Sequence, residues 1–262
     1  MPGYAGPVRA LVRPTSRRLA EGQLTHLERV PVDIELAQQQ WTTYCDTLDT
    51  WGFETVHVPG ADDLPDSVFV EDAVVMFGDL AVLTSPGAET RRAETDAVSE
   101  TLRGLTQSGV ALEIAALELP GTLDGGDVLK VDRTVYVGQG GRTNGDGIRQ
   151  LRALLTPRGW TVVGVPVTKV LHLKSAVTAL PDGTVIGHLD DVDHPGIFPR
   201  FLAMPEHGAA VVVLSDDTVL MAASVPKSAA LVASLGYRVI TADISEFEKL
   251  EGCVTCLSVR IR

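Results

Sequence analysis

The sequence predicts an α/β fold of five repeated ββαβ units arranged as a ring, and three observations carry that prediction. Four segments, 72–83, 127–137, 175–186 and 209–220, share one pattern of strand, tight polar turn and second strand. Helical stretches followed by a further strand come after three of them. The two chain ends supply the pieces of a fifth unit, so the first unit is closed by the last. The alternative is an ordinary doubly wound sheet. It would scatter the polar residues along one edge, whereas strands converging on an axis bring them together.

In chain order, the first hairpin turns on Gly78-Asp79 between apolar runs and leads to a helix over 89–106 and a strand over 110–117. The second turns on Asp132-Arg133 and leads to a helix over 145–156 and a strand over 161–167. The third turns on Pro181-Asp182-Gly183 and departs from the pattern. Its sequel, 189–205, is rich in proline and aspartate with little helical periodicity, so its helix is short or absent. The fourth turns on Ser215-Asp216-Asp217, with a helix over 227–235 and a strand over 237–244. The fifth needs both ends: a strand over 254–261 pairs with one over 8–12, followed by a helix over 33–50 and a strand over 54–58.

Composition narrows the class. With 262 residues and 45% hydrophobic content the chain can bury a substantial core, as one large domain or two small ones, and disorder is excluded. The ring reading makes it a single domain over 1–262. Three cysteines and no N-terminal apolar run of signal-peptide length predict a reducing, cytoplasmic setting. No segment approaches the roughly 20 apolar residues of a membrane span. A formal charge of −12 disfavours nucleic acid and anionic membranes and mildly favours a cationic small molecule.

The chemistry-bearing residues cluster at the strand starts of successive units. Cys256 lies in a β-branched run that reads as a strand, His172 lies in Leu171-His-Leu-Lys174, and carboxylates stand at Asp66, Glu71, Asp72, Asp124 and Asp127, with Phe69 among them. A thiol with an imidazole and carboxylates points to cysteine-based covalent catalysis. Each residue alone has a blander reading. A buried strand cysteine is commonly inert, and a histidine between two leucines is commonly a satisfied core residue. Cys253 and Cys256 form a CxxC, but a redox role calls for a helix N-terminus and a zinc role for two further ligands, and neither context is evident. Cys253 and Cys45 therefore read as structural. Asp124-Gly-Gly-Asp127 lacks the following helix of a phosphate loop. Asp190-Asp-Val-Asp-His194 lacks calcium-loop spacing and reads as a solvated loop, so no metal is expected.

Six motifs, in order and across nearly the whole chain, closely resemble those of the dimethylarginine dimethylaminohydrolases. They are Asp66-Ser-Val-Phe-Val-Glu-Asp72, Pro86-Gly-Ala-Glu-Thr-Arg-Arg92, Gly121-Thr-Leu-Asp-Gly-Gly-Asp127, Gly141-Arg-Thr-Asn144, Leu171-His-Leu-Lys-Ser175 and Gly252-Cys-Val-Thr-Cys-Leu-Ser258. The resemblance implies the five-bladed α/β-propeller of the guanidine-modifying, pentein-like superfamily. It implies hydrolysis of N-methylated arginine to citrulline and an alkylamine, with no organic cofactor and no metal.

Residue by residue, it implies Cys256 as nucleophile, His172 as acid and base, and Asp124 as the group that orients the imidazole. Asp72 would clamp the guanidinium with Glu71 beside it, and Phe69 would line the pocket. Arg91 and Arg142 would bind the substrate carboxylate and Asp66 its α-amine, while Leu24, in a mobile loop over 22–28, would give a backbone contact. Many relatives carry asparagine where this chain reads Gly208-Ala-Ala-Val211. The alternatives are a deiminase or amidino-group enzyme on another guanidine and, in another class, a non-catalytic guanidine-binding or CxxC redox protein. A ring closed within one chain needs no partner copy, and a homodimer stays open.

Overall fold

Alternating apolar runs and polar turns resolve into five three-stranded sheets, each with one antiparallel and one parallel pairing. The structure, a computed structural model, describes residues 8–261. The chain opens with β1 (Arg9–Val12), α1 (Ile34–Thr50) and β2 (Glu54–His57). The first hairpin is β3 (Val74–Phe77) with β4 (Leu80–Leu83), followed by α2 (Glu94–Gln107) and β5 (Glu113–Ala116). The second is β6 (Val128–Val131) with β7 (Thr134–Gln139), then α3 (Gly145–Leu155) and β8 (Thr161–Pro166).

A single helical turn, α4 (Leu173–Ala176), precedes β9 (Val177–Ala179), β10 (Val185–Gly187) and β11 (Phe201–Ala203). The last repeat holds β12 (Val212–Val213), β13 (Thr218–Ala222), α5 (Pro226–Ser234) and β14 (Arg238–Ala242). After α6 (Ser245–Glu248), β15 (Val259–Ile261) returns antiparallel to β1, with Arg9 opposite Ile261. The fifth sheet is thus assembled from both ends of the chain, as the sequence predicts.

The helices start where short polar side chains can receive orphan amides. Asp33 accepts from the Leu36 amide at 3.0 Å to open α1, and Asn144 accepts from the Gly147 amide at 2.9 Å to open α3. Along α1, Ala37, Trp41, Tyr44, Cys45 and Leu48 recur at helical spacing and are buried against the largest core cluster, which also holds Phe247 and Val232. Burying one such leucine contributes about 1.5–3 kcal/mol.

Two expectations are corrected. The strand predicted over 254–261 begins only at Val259, because residues 254–257 form a turn. The Cys256 amide donates to the Cys253 carbonyl at 3.1 Å, and the buried Tyr44 hydroxyl donates to the Val254 carbonyl at 2.8 Å, which withdraws this backbone from any ladder. Cys256 therefore sits on a turn and not in a strand. The helix predicted over 89–106 is divided into a 3-10 turn at Glu89–Arg91 and α2. The third unit carries only a 3-10 turn, Pro195–Ile197, between β10 and β11.

The leading strand of each sheet, β15, β3, β6, β9 and β12, contributes residues to the lining of one cavity of about 290 Å³. Each leading strand is entered from a short turn, and these turns carry the residues of interest. Among the described residues, no helix is long and apolar enough to cross a membrane.

Candidate active site

Glu71 and Asp72 lie on a 3-10 turn, Val70–Ala73, at the start of β3. At three residues per turn, neighbouring side chains on such a turn diverge, and here they part to opposite sides. Asp72 faces a small pocket that it lines with Gln23, Asp66, Phe69, Arg91, Arg142, Leu171, His172, Leu250, Glu251, Gly252 and Cys256, with about 20 Å³ of free volume. Glu71 faces the larger cavity, where it meets Lys174 at 2.5 Å and accepts from the Thr255 hydroxyl at 2.7 Å. The expectation that Glu71 stands beside the guanidinium clamp is thereby corrected. Its amide donates to the Cys256 carbonyl at 3.3 Å, so it braces the Cys256 turn from behind.

Asp72 is buried, and its charge is met from three directions. Arg91 Nη1 donates to Oδ2 at 2.6 Å, the Gly126 amide donates to Oδ1 at 2.8 Å, and His172 Nδ1 lies 3.8 Å from Oδ1. Burial pushes its carboxyl up, but His172, Arg91 and the Gly126 amide outweigh burial and bring it down to about 2. The glycine pair in Asp124-Gly-Gly-Asp127 makes this approach feasible. A Cβ on Gly126 would lie 2.6 Å from His172 Nδ1 and 2.7 Å from Asp72 Oδ1, and one on Gly125 would lie 2.0 Å from the Glu71 carbonyl. The motif is a close-approach site and not a phosphate loop.

His172 caps α4 and is buried. Its Nε2 is 3.0 Å from Asp124 Oδ2, while Asp124 Oδ1 accepts from the Gly87 amide at 2.8 Å. Asp127 holds the same turn from below, accepting from the Leu173 amide at 2.8 Å and the Thr143 hydroxyl at 2.6 Å. Burial pulls the imidazole down, yet the Asp72 charge, the bond to Asp124 and the Asp127 charge outweigh it and raise His172 to about 9. Asp127 is pushed up to about 6 by its own burial. At neutral pH the imidazole therefore holds its second proton.

Cys256 lies on the wall of the pocket, and its sulfur accepts from the Cys253 amide at 3.4 Å with the Cys253 sulfur also at 3.4 Å. The bond with Cys253, burial, and the charges of Glu71 and Asp72 push the Cys256 thiol well above the usual thiol value. A cation placed between Asp72 and the sulfur opposes each electrostatic contribution.

Arg91 lines the pocket, where the sequence reading puts it, and is also tied to the protein on every side. It is buried, and all three guanidinium nitrogens are engaged: Nε and Nη2 with Glu94 at 2.9 and 2.7 Å, Nη1 with Asp72, and Nη2 also with the Asp66 and Phe69 carbonyls. The reason is electrostatic, since two buried carboxylates need a cation between them. Burial, which lowers an arginine, is outweighed by Glu94 and Asp72, and the guanidinium is held firmly protonated.

Arg142 reaches the pocket and contacts the Thr25 hydroxyl at 3.3 Å. Asp66 accepts from the Gln23 amide at 3.1 and 3.2 Å, and burial raises its carboxyl. Leu24 packs on the core and does not line the pocket, whereas its neighbour Gln23 does. The loop over 22–28 is tied across the pocket by Glu251, which accepts from the Thr25, His26 and Leu27 amides at 2.5–3.0 Å. Glu251 holds a left-handed backbone, φ 61°, an unusual conformation for glutamate.

Several participants went unnoticed in the sequence. Glu94 carried a signal, standing three residues after Arg91 on a helical stretch. Gln23, Leu250 and Glu251 carried none, because only the fold brings these loops together. Among the described residues, donor groups lie within 4.8 Å of one another at Asp72, Asp124 and His172 and at His188, Asp190 and His207. The first set is satisfied by its own hydrogen bonds. In the Asp190–His194 run, Asp191 bonds His207 and Asp193 bonds Thr168.

Comparison with known proteins decides the family. The chain is 60% identical, over 97% of each chain, to N(G),N(G)-dimethylarginine dimethylaminohydrolase of Streptomyces coelicolor. The chain belongs to the dimethylarginine dimethylaminohydrolase family. A solved structure of the Pseudomonas aeruginosa dimethylarginine dimethylaminohydrolase, a Cys-to-Ser mutant complexed with citrulline, superposes with a TM-score of 0.88 at 33% identity, covering 97% of this chain and 98% of that one. A dimethylarginine dimethylaminohydrolase adduct with S-methyl-L-thiocitrulline, carrying a His-to-Gly substitution, also gives 0.88, at 32% identity over 98% and 100% of the two chains. No family model matches the sequence.

Proposed function

We propose that this chain hydrolyses N-methylated arginine to citrulline and dimethylamine or methylamine through a covalent adduct on Cys256. The observation that carries the reading is the convergence of Cys256, the His172–Asp124 pair and Asp72 on one small buried pocket. The 60% identity to a dimethylarginine dimethylaminohydrolase and the family's structures with citrulline and a thiocitrulline adduct support the substrate class.

A guanidinium carbon is a weak electrophile, so the reaction needs a thiolate and a proton for the departing amine. The cation binds against Asp72, offsets the negative surroundings of Cys256, and so favours loss of the thiol proton to solvent. The sulfur attacks the central carbon and a C–S bond forms. His172, already protonated, gives its proton to the amine as the C–N bond breaks. The neutral imidazole then takes a proton from water, whose oxygen attacks the same carbon. The C–S bond breaks as the added hydroxyl becomes the carbonyl, its proton passes to the departing sulfur, and citrulline leaves with the thiol restored. Asp124 fixes the ring and stabilises its charged form. Arg142 is assigned to the substrate carboxylate, Asp66 to its α-amine, and Phe69 to the pocket wall. Arg91 supports Asp72, and Leu24 acts through the loop it anchors.

We read the five sheets as blades of a closed α/β-propeller forming one catalytic domain over 1–262. The support is that all five leading strands contribute to the lining of one cavity. The three free thiols favour a cytoplasmic setting, and a homodimer is the assembly to be tested by light scattering. The deciding experiment measures citrulline and amine release from asymmetric dimethylarginine, monomethylarginine and arginine, with Cys256→Ser in parallel. Turnover of a methylated substrate that vanishes in the variant is expected. Faster turnover of arginine would move the chain to a deiminase.

A further inference from the structure

Cys253 takes no part in the chemistry above, yet its sulfur lies in contact range of the nucleophile's. The two sulfurs are 3.4 Å apart, both residues are buried, and the Cys253 carbonyl and Cys256 amide close the turn between them at 3.1 Å. The ends of such a turn lie within about 7 Å at Cα, which meets the disulfide requirement of about 4.4–6.8 Å. The sulfurs need to approach by only about 1.4 Å to reach the bonded distance of about 2.05 Å. Side-chain rotation on an irregular turn supplies that movement more readily than a strand would. The Cys253 sulfur also meets the Thr255 hydroxyl at 3.4 Å and the Lys174 carbonyl at 3.9 Å, and neither competes as a partner for oxidised sulfur.

We infer that Cys253 and Cys256 are an oxidative modification site for peroxides, in which Cys253 converts an oxidised nucleophile into a reversible disulfide. This rests on Cys256 being the nucleophile. One thiolate of the pair attacks a peroxide oxygen. An S–O bond forms, the O–O bond breaks, and the departing hydroxide takes a proton to leave as water. The second thiol loses its proton and attacks the sulfenic sulfur. The S–S bond forms, the S–O bond breaks, and a second water leaves. Two thiols are oxidised by two electrons and one hydrogen peroxide is reduced to two waters. A small dithiol reverses the step by thiol–disulfide exchange. Turnover stops while the bond persists, and the nucleophile is spared irreversible sulfinic acid.

The test treats wild type, Cys253→Ser and Cys253→Ala with hydrogen peroxide, then with dithiothreitol, each variant being normalised to its own untreated rate. Free thiols are alkylated and peptides mapped at each stage. Wild type is expected to lose activity, to yield a Cys253–Cys256 linked peptide lighter by two hydrogens, and to recover with dithiothreitol. Both variants are expected to lose activity that dithiothreitol does not return, with Cys256 found as sulfinic acid. Wild type without the linked peptide, or variants that recover as fully as wild type, would overturn the inference. Peptide mapping reads the bond without reference to turnover. An active Cys256→Ser protein would thus refute the nucleophile assignment while leaving the mapping to be judged separately.

Discussion

Two regions share the same short motifs but do different work. On the pocket side stand Asp72, His172 and Cys256; on the side of the 290 Å³ cavity stand Glu71, Lys174 and Thr255. Each motif sends one side chain each way, since Glu71 precedes Asp72, Thr255 precedes Cys256, and Lys174 follows His172 by two. The cavity-side groups satisfy one another, carboxylate to ammonium and hydroxyl to carboxylate. On the pocket side Asp72 and His172 are buried and charged, and the buried Cys256 thiol beside them is pushed up and holds its proton until a cation arrives. One face of the motif fixes the turn, and the other is poised for chemistry.

Substitutions on the two faces should therefore fail differently. The largest effect is expected for Cys256→Ser, a loss of turnover of about 10⁴-fold or more with the fold intact. His172→Gly should also be inactive yet still accumulate a covalent adduct on Cys256, visible by mass spectrometry. Asp72→Asn comes next. It should cut kcat/KM by about 10²-fold and cost about 2 kcal/mol in denaturant titration, because Arg91 loses a charged partner.

Asp124→Asn removes a negative charge from His172 and so lowers its pKa from about 9. The alkaline limb of the pH–rate profile should move to lower pH. The same raised pKa has a stability consequence. His172 contributes stability that is fully present below its unfolded value of about 6.5 and is lost as pH rises through about 9. Asp72, lowered to about 2, contributes above its unfolded value of about 3.9 and ceases to as pH falls through 2. Unfolding followed across pH should show both limbs, and a flat alkaline limb would break the assignment.

Glu71→Gln should lower stability by about 2 kcal/mol while changing kcat less than about tenfold. Because Glu71 raises the Cys256 thiol, its alkylation profile should shift to lower pH. A kcat loss as large as that of Asp72→Asn would erase the distinction between the faces. The smallest effect is expected for Glu251→Gln, a few-fold rise in KM and faster proteolysis over 22–28, since one loop tether is weakened.

The sheets were legible because hairpin turns and branched runs are local signals, and even the union of the chain ends followed from counting units. The conformation around Cys256 was not legible. Val254-Thr-Cys-Leu-Ser-Val259 has strand composition, but the Tyr44 hydroxyl and the Cys253 carbonyl, one of them far away in sequence, bend it into a turn. Local propensity yielded to tertiary contacts there. Motif position likewise grouped Glu71 with Asp72, whereas a 3-10 turn separates them. The carboxylates that hold Arg91 were only half legible, because Glu94 stands three residues along the same stretch whereas Asp72 reaches it only through the fold.

The pairing of β1 with β15 also bears on how activity is acquired. Its partners lie at opposite ends of the described chain, and a contact of such sequence separation forms slowly. Cys256 stands three residues before β15, so the closing ladder anchors the chain just beyond the Cys256 turn. A molecule with its four internal sheets in place but that ladder unmade would look nearly native by circular dichroism and be inert. For this protein, the onset of turnover after refolding is a clock for the last step of folding.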